Sequence, residues 1–231
     1  MRFQAPSFWR VAGLALLLAG ALLNAALAGD VGGTVTIRSK LHPRASGKGG
    51  GSTGSEPFGY SDSGDEAPRP LSSAQEVPFV VVSVVSSTLP ATPRTLVMRQ
   101  KGREFSPHVL VAPRGSTVVF TNEDPFFHSI YSESTAGRFS LPKYPRGKKE
   151  SRTFSTPGPI ELFCGIHSRM NAYIYITEND FFTQPAADGR FSLKGIPAGT
   201  YTLRFWHPRG ALQTQRVTVP ASGAVNVNVA L

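Results

Sequence analysis

Hydrophobic and polar residues alternate in short runs over most of this 231-residue chain. The segments "NAYIYIT", "GRFSL", "YTLRF" and "VNVNVAL" show the two-residue period of a β-strand that is buried on one face. Glycine, proline and asparagine separate these runs, and no convincing helical period follows residues 1–28. The pattern therefore predicts an all-β protein of sandwich type.

The first 28 residues have a different pattern. Arg2 and Arg10 flank an otherwise uncharged start, the apolar run "VAGLALLLAGALL" follows, and the small residues "ALA" precede Gly29. This is the order of a secretory signal peptide, and the apolar run is too short to span a membrane. We expect cleavage near Ala28/Gly29 and an exported, periplasmic protein with no membrane span after cleavage.

A second departure lies at residues 41–76, which are rich in glycine, serine, proline and charge. Segments such as "SGKGGGSTGS" and "SDSGDEAPRP" contain too few apolar residues to form a core. We therefore predict a flexible low-complexity loop there, between a short strand at 29–40 and a valine-rich strand at 77–90.

The sequence contains a single cysteine, Cys164. A disulfide framework in an oxidising compartment needs cysteines in pairs, so either a buried inert thiol or a metal-bound thiolate explains it. His167 and Met170 follow at three-residue spacings in "FCGIHSRM", and His128 follows the strand-like run "STVVFTN". One thiolate, two imidazoles and a weak axial thioether form the ligand set of a redox-active copper ion. The four residues are therefore a candidate copper site.

Two longer segments carry a family resemblance, "FSPHVLVAPRGSTVVFTNEDPFFHSI" and "FSTPGPIELFCGIHSRMNAYIYI". They resemble a cupredoxin, the type 1 blue-copper fold, with a short ligand loop of the amicyanin type. The resemblance covers residues 91–177. It implies a Greek-key β-sandwich in which His128, Cys164, His167 and Met170 bind one copper ion that alternates between Cu(I) and Cu(II).

One position departs from that family. Many cupredoxins have asparagine directly after the first histidine ligand, where this chain has Ser129, so the residues that support the ligands are expected to differ. The resemblance also implies an apolar docking face near the ligand loops. We expect one of Phe126 and Phe127 to lie on that face, whereas packing in the sandwich is the alternative for both.

The last part of the chain, residues 178–231, combines alternating strands with Asp-Gly and Pro-Ala-Gly turns. It resembles a carboxypeptidase regulatory-like (transthyretin-like) β-sandwich. The strands at 29–40 and 77–90 fit the opening strands of that family, which predicts that the cupredoxin is inserted within the other domain. The combination resembles exported proteins labelled methylamine utilisation proteins, a label that establishes no pathway.

Two functions follow from these features. The first is transfer of single electrons between redox partners, and the second is a copper-binding or carbohydrate/protein-binding module without a redox role. Carbohydrate is a candidate ligand of the C-terminal domain. No nucleophile elbow or "HExxH" motif occurs, so we predict no enzyme activity and no catalytic residues.

We interpret His42, His108 and His207 as structural or exposed residues, because none has a companion at ligand spacing.

The charge of the chain bears on its partner. The net charge is +9, and loss of Arg2 and Arg10 with the signal peptide leaves +7. Much of the positive charge lies in "KYPRGKKESR", residues 143–152, which contain five basic residues and one acidic residue, Glu150. A solvated hairpin is one interpretation. The other is a docking surface for an acidic redox partner, since opposite charges accelerate encounter. Nucleic acid is not expected as a partner of an exported protein that lacks a recognition motif.

Overall fold

The computed structural model describes residues 27–38, 41–42, 71–210 and 212–231. Most of the predicted signal peptide and residues 43–70 of the predicted flexible loop lie outside these ranges. The described elements are, in chain order, β1 (Ala28–Thr36), α1 (Ser73–Glu76), a 3-10 turn (Val77–Phe79), β2 (Val81–Val85), β3 (Thr95–Lys101), β4 (Glu104–Ser106), β5 (Val109–Pro113), β6 (Ser116–Asn122), β7 (His128–Ser132), β8 (Phe139–Tyr144), β9 (Lys149–Phe154), β10 (Gly158–Cys164), β11 (Asn171–Thr177), β12 (Phe182–Thr183), β13 (Arg190–Pro197), β14 (Gly199–Trp206), β15 (Gln213–Val219) and β16 (Ala224–Ala230). The prediction of an all-β protein is confirmed.

Nine consecutive strands, β3 to β11, form the first sandwich. One sheet has the order β4-β3-β6-β9 and the other the order β5-β11-β10-β7-β8. Along β6 the side chains alternate between buried and half-buried, as the two-residue period of its sequence requires. The inward residues of both sheets form one core, which includes Phe120, Ile130, Leu162 and Ile174.

The second sandwich contains strands from both ends of the described chain. Its sheets have the orders β13-β1-β16 and β12-β2-β14-β15. β1 pairs antiparallel with β13 and parallel with β16, and β2 pairs antiparallel with β14. The chain thus leaves this sandwich after β2, forms the whole first sandwich and returns at β12. The residue boundaries given above for the domains stay predictions.

β1 and β16 approach each other closely at Gly33. A Cβ atom built on Gly33 would lie 1.7 Å from the carbonyl oxygen of Val227, its partner residue in β16. No side chain larger than hydrogen fits there, which explains one of the paired glycines in "VGGTV".

β11 is buried on both faces and joins the two sandwiches. Ile174 and Ile176 belong to the core of the first sandwich, whereas Tyr173 and Tyr175 point to a separate cluster with Trp206 of β14. The Trp206 ring lies 4.8 Å from the ring of Tyr175 and 5.9 Å from that of Tyr173, between centroids. This aromatic contact packs β14 of the second sandwich against the outer face of the first.

The described edges of the predicted flexible loop are held in place. Its last residue, Glu76, ends α1 and is buried, where its carboxylate contacts the Arg209 guanidinium and lies 3.3 Å from Nε2 of His207. The other guanidinium nitrogen of Arg209 donates to the carbonyl of His42. Burial, helped by the charge of Arg209, lowers the pKa of His207 even though Glu76 opposes the shift. No helix in the described ranges has the length and apolar character to cross a membrane.

Candidate metal centre

Strand pairing brings His128 and Cys164 together. His128 is the first residue of β7 and Cys164 the last of β10, and these strands pair through Cys164 and Ile130. Both side chains are almost fully buried, and Nδ1 of His128 lies 3.6 Å from Sγ of Cys164. Two potential ligands from distant parts of the sequence therefore meet at one end of the first sandwich.

The loop between β10 and β11 adds His167. Cys164 N–H donates to the carbonyl of Met170 at 3.0 Å, and Met170 N–H donates to the carbonyl of His167 at 3.1 Å. These bonds close the loop tightly, so Nδ1 of His167 lies 3.6 Å from Sγ of Cys164. Met170 is buried in the same core cluster as Cys164. A straight strand would have placed these side chains on alternate faces.

The three donor atoms suit one metal ion. Nδ1 of His128, Sγ of Cys164 and Nδ1 of His167 are part of a group whose ligand atoms all lie within 4.8 Å of one another. With metal–sulfur and metal–nitrogen bonds of about 2.3 and 2.0 Å, a trigonal arrangement separates sulfur from nitrogen by about 3.7 Å. The observed 3.6 Å separations agree with this value. Two histidine nitrogens and one cysteine thiolate in a trigonal arrangement are a ligand set that proteins use for copper.

The electrostatics of the group favour an ionised thiol. Burial alone would raise the pKa of Cys164, but hydrogen bonds from His128 and from backbone N–H groups of Ser129, Ile166 and His167 bring the pKa below its ordinary value. Burial likewise works to lower the pKa of His128, and its hydrogen bonds and charge interactions with Cys164 and Asp124 raise it instead. The thiolate is the form that binds a metal.

Aromatic and apolar side chains cover this end of the sandwich. The Phe126 ring lies 5.3 Å from the rings of both His128 and His167, and the Arg103 guanidinium lies over the Phe126 ring at 5.5 Å from its centroid. Phe127 and Ile166 are 54% and 41% exposed, which makes them the surface apolar residues beside the two histidines. Phe126 therefore packs against the centre, whereas Phe127 faces solvent. A docking role for that face stays a prediction.

The remaining predicted histidines lie elsewhere. Within the described residues, His128, Cys164 and His167 form the only group of three potential His, Cys, Asp or Glu ligands. His108 lies between the Phe79 and Tyr173 rings at the contact of the two sandwiches, and His207 is buried beside Glu76. The structural interpretation of these two histidines agrees with their positions.

Sequence reasoning missed Asp124, which is buried behind the first histidine. Its Oδ2 atom lies 2.9 Å from Nε2 of His128, on the ring edge opposite Nδ1. The available signal was the four-residue spacing in "DPFFH", which returns a carboxylate to the histidine when the loop turns back on itself. A second buried polar pair, Tyr144 and Gln100, lies in the strands beneath.

The fold and the donor set together define the class: a β-sandwich with a candidate trigonal metal centre, joined to a second β-sandwich. The family model of the carboxypeptidase regulatory-like domain matches residues 170–231. That match includes β11, which is a strand of the first sandwich and packs against Trp206 of the second. It also supports the predicted identity of the C-terminal part. A search of curated proteins found no match.

Solved structures similar to this chain include several copper proteins. The purple cupredoxin of Nitrosopumilus maritimus is 22% identical, with 36% of this chain and 98% of that chain covered and a TM-score of 0.32. A reduced amicyanin variant is 17% identical, with coverages of 41% and 97% and a TM-score of 0.34. The copper-containing nitrite reductase of Thermus scotoductus is 28% identical, and 47% of this chain covers only 27% of that enzyme, at a TM-score of 0.34. Since these scores are low, the assignment of the centre depends on its own geometry.

Proposed function

We propose that this protein is an exported type 1 copper protein that carries single electrons between redox partners in the periplasm. His128, Cys164, His167 and Met170 hold one copper ion. The observation that carries the proposal is the trigonal group, in which two Nδ1 atoms each lie 3.6 Å from one buried sulfur. The role is that of a carrier and not of an enzyme.

Each residue has a separate task in this function. Copper, when bound, supplies a single-electron couple between Cu(I) and Cu(II). The thiolate of Cys164 and the buried imidazole of His128 would hold the ion from two paired strands. His167 is only partly buried and lies in the loop at the surface. Its ring edge would be the route by which an electron reaches a partner.

The test is to load the protein, after removal of the signal peptide, with Cu(II). We expect one equivalent to bind, an intense visible band from thiolate-to-copper charge transfer, a paramagnetic resonance spectrum with a narrow copper hyperfine splitting, and a reversible single-electron couple by voltammetry. A protein that stays colourless and binds only Cu(I) contradicts electron transfer and supports copper storage or delivery. A protein that prefers Zn(II) and shows no couple contradicts the copper assignment.

Met170→Leu tests the thioether that would be the fourth ligand. We expect this variant to keep copper and colour but to have a higher reduction potential, because a weak donor to Cu(II) is lost. The matched control is Met98→Leu, the same change at a buried methionine of the same core, in β3, which contains no predicted ligand. Voltammetry of the wild type and both variants measures the effect. Loss of all copper from Met170→Leu contradicts the assignment, as does a potential that does not move.

The basic turn between β8 and β9 supports an acidic partner. Gly147 N–H donates to the carbonyl of Asn122 at 2.8 Å, and the Asn122 side chain donates to the carbonyl of Phe126. The turn thus lies beside the loop that carries the exposed Phe127. Arg146, Lys148 and Lys149 are all exposed there. An apolar patch with a basic edge fits an acidic redox protein.

Reversing the charge of this turn tests the partner. We expect Lys148→Glu with Lys149→Glu to slow oxidation of the reduced protein by hexacyanoferrate(III), an anionic one-electron oxidant, by about tenfold near 0.01 M salt. The difference shrinks as salt screens the charges, and copper affinity and colour stay unchanged. Lys194→Glu with Arg216→Glu, exposed in the second sandwich, is the control with equal charge. Stopped-flow rates that change with neither salt nor the charge reversal contradict an electrostatic docking role for this turn.

A further inference from the structure

The carboxylate of Asp124 is held in place by two backbone hydrogen bonds. One carboxylate oxygen accepts the N–H of Gly102 at 2.7 Å, and the other accepts the N–H of Arg103 at 3.1 Å. Both residues are in the left-handed region, with φ of 66° and 62°, in the turn between β3 and β4. Consecutive N–H groups in such a turn form a concave anion-binding site. The backbone therefore fixes the carboxylate before the histidine is considered.

The same carboxylate faces the back of the first histidine. Nε2 of His128 lies 2.9 Å from Oδ2 of Asp124, while Nδ1 of the same ring points to Sγ of Cys164 at 3.6 Å. A carboxylate can only accept, so Nε2 carries a proton, and a metal ion that displaces any proton from Nδ1 can bind the lone pair there. Both side chains are shielded from water, so little screening weakens their interaction.

We propose that Asp124 is a positioning residue for the metal centre: it holds His128 in the tautomer that binds through Nδ1 and places a fixed negative charge behind that ligand. This inference rests on the proposed copper function. Partners of this kind fix ring orientation and make an imidazole a stronger donor. A stronger donor and a nearby negative charge favour Cu(II) over Cu(I), because the oxidised ion has the higher charge. Asp124 thus lowers the reduction potential.

A purely structural role is the alternative, because Asp124 also holds the turn that carries Arg103 over Phe126. The two roles differ in a measurable way. Loosening the turn weakens the binding of both oxidation states alike. Removing the charge behind His128 weakens the binding of Cu(II) more than that of Cu(I).

The experiment compares Asp124→Asn with the wild type in the full mature protein. Affinities for Cu(II) and Cu(I) are measured by competition with chelators, and the reduction equilibrium is measured against a fixed redox couple. We expect Cu(II) affinity to fall by about 10- to 100-fold, with a smaller loss for Cu(I). The reduction equilibrium then shifts toward Cu(I) by the ratio of the two losses. Asp124→Glu keeps the charge and is expected to restore most of that ratio.

Asp180→Asn is the matched control. Asp180 also holds a loop, through the N–H and hydroxyl of Thr92, but it follows the far end of β11 and contacts no predicted ligand. We expect its affinities and equilibrium to equal those of the wild type. Equal losses for both oxidation states in Asp124→Asn, or no loss, overturn the inference while the wild type remains blue and reversible. A wild type that does not bind copper instead overturns the proposed function.

Discussion

Cys164→Ser is expected to abolish the intense visible absorption of the copper-loaded protein and to weaken copper binding strongly. The band comes from charge transfer between a thiolate and Cu(II), and a hydroxyl is a poor replacement for a soft, ionised ligand. The pKa of Cys164 is held below its ordinary value in this protein, whereas a serine hydroxyl stays protonated at neutral pH. Absorption spectra and copper content of the purified variant measure both effects.

The control for this variant is His108→Gln, which changes a histidine outside the group at the metal centre. It is expected to keep the spectrum of the wild type. Circular dichroism of Cys164→Ser then checks that the sandwich is intact, since sulfur and oxygen differ in size in a tightly packed core. If Cys164→Ser is folded and still has its full colour, the site assignment is wrong.

Trp206→Ala is expected to lower the free energy of unfolding by about 3–5 kcal/mol, the usual cost of replacing a buried tryptophan by alanine. The ring packs on Tyr173 and Tyr175 of β11, which also contributes Ile174 and Ile176 to the first core. The loss therefore reaches both sandwiches. Urea unfolding, followed by circular dichroism for the whole chain and by the copper–thiolate band for the first sandwich, measures it.

Two further variants serve as controls for Trp206→Ala. Trp206→Phe keeps a ring in the contact and is expected to lose less than the alanine variant. Leu212→Ala changes an apolar residue that is 55% exposed, and its effect is expected to lie within about 0.5 kcal/mol. If Trp206→Ala destabilises the chain without changing the transition of the copper–thiolate band, the two sandwiches unfold independently and β11 does not couple them.

Local sequence was sufficient for much of the fold. The two-residue alternation in β6 matches the residues that face the core. β11 alternates in sequence too, but the expectation that it is buried on one face was wrong, because both of its faces are covered. The strands themselves could still be recognised one by one. The pairing of the strands was harder to predict from local sequence. β1 is held between β13 and β16, about 160 or more residues further along the chain, and only the resemblance to a known domain indicated this. Short valine-rich runs fit many sheets equally well.

The candidate site shows the same limit. Cys164, His167 and Met170 are close in sequence, and a tight loop was enough to connect them. Asp124 was not recognised, because a single carboxylate in a polar loop has many ordinary explanations. Its role becomes visible only when the turn at Gly102 and Arg103, distant by some twenty residues, is seen to hold it. The burial of Glu76, at the end of a glycine- and proline-rich segment, could not be predicted either, because the residues that contact it are distant in sequence.

The position of β1 between β13 and β16 has a consequence for the order of assembly. As the chain is synthesised from its N-terminus, the strands β3 to β11 become available together and contain all the partners of the first sandwich. β1 and β2 are already present by then, but their partners follow only after residue 181. Until then the edges of β1 and β2 are unpaired, and unpaired edges can form sheets with other chains. Rapid folding of the first sandwich shortens the time for which these edges are unpaired, because it brings β2 and β12 close together.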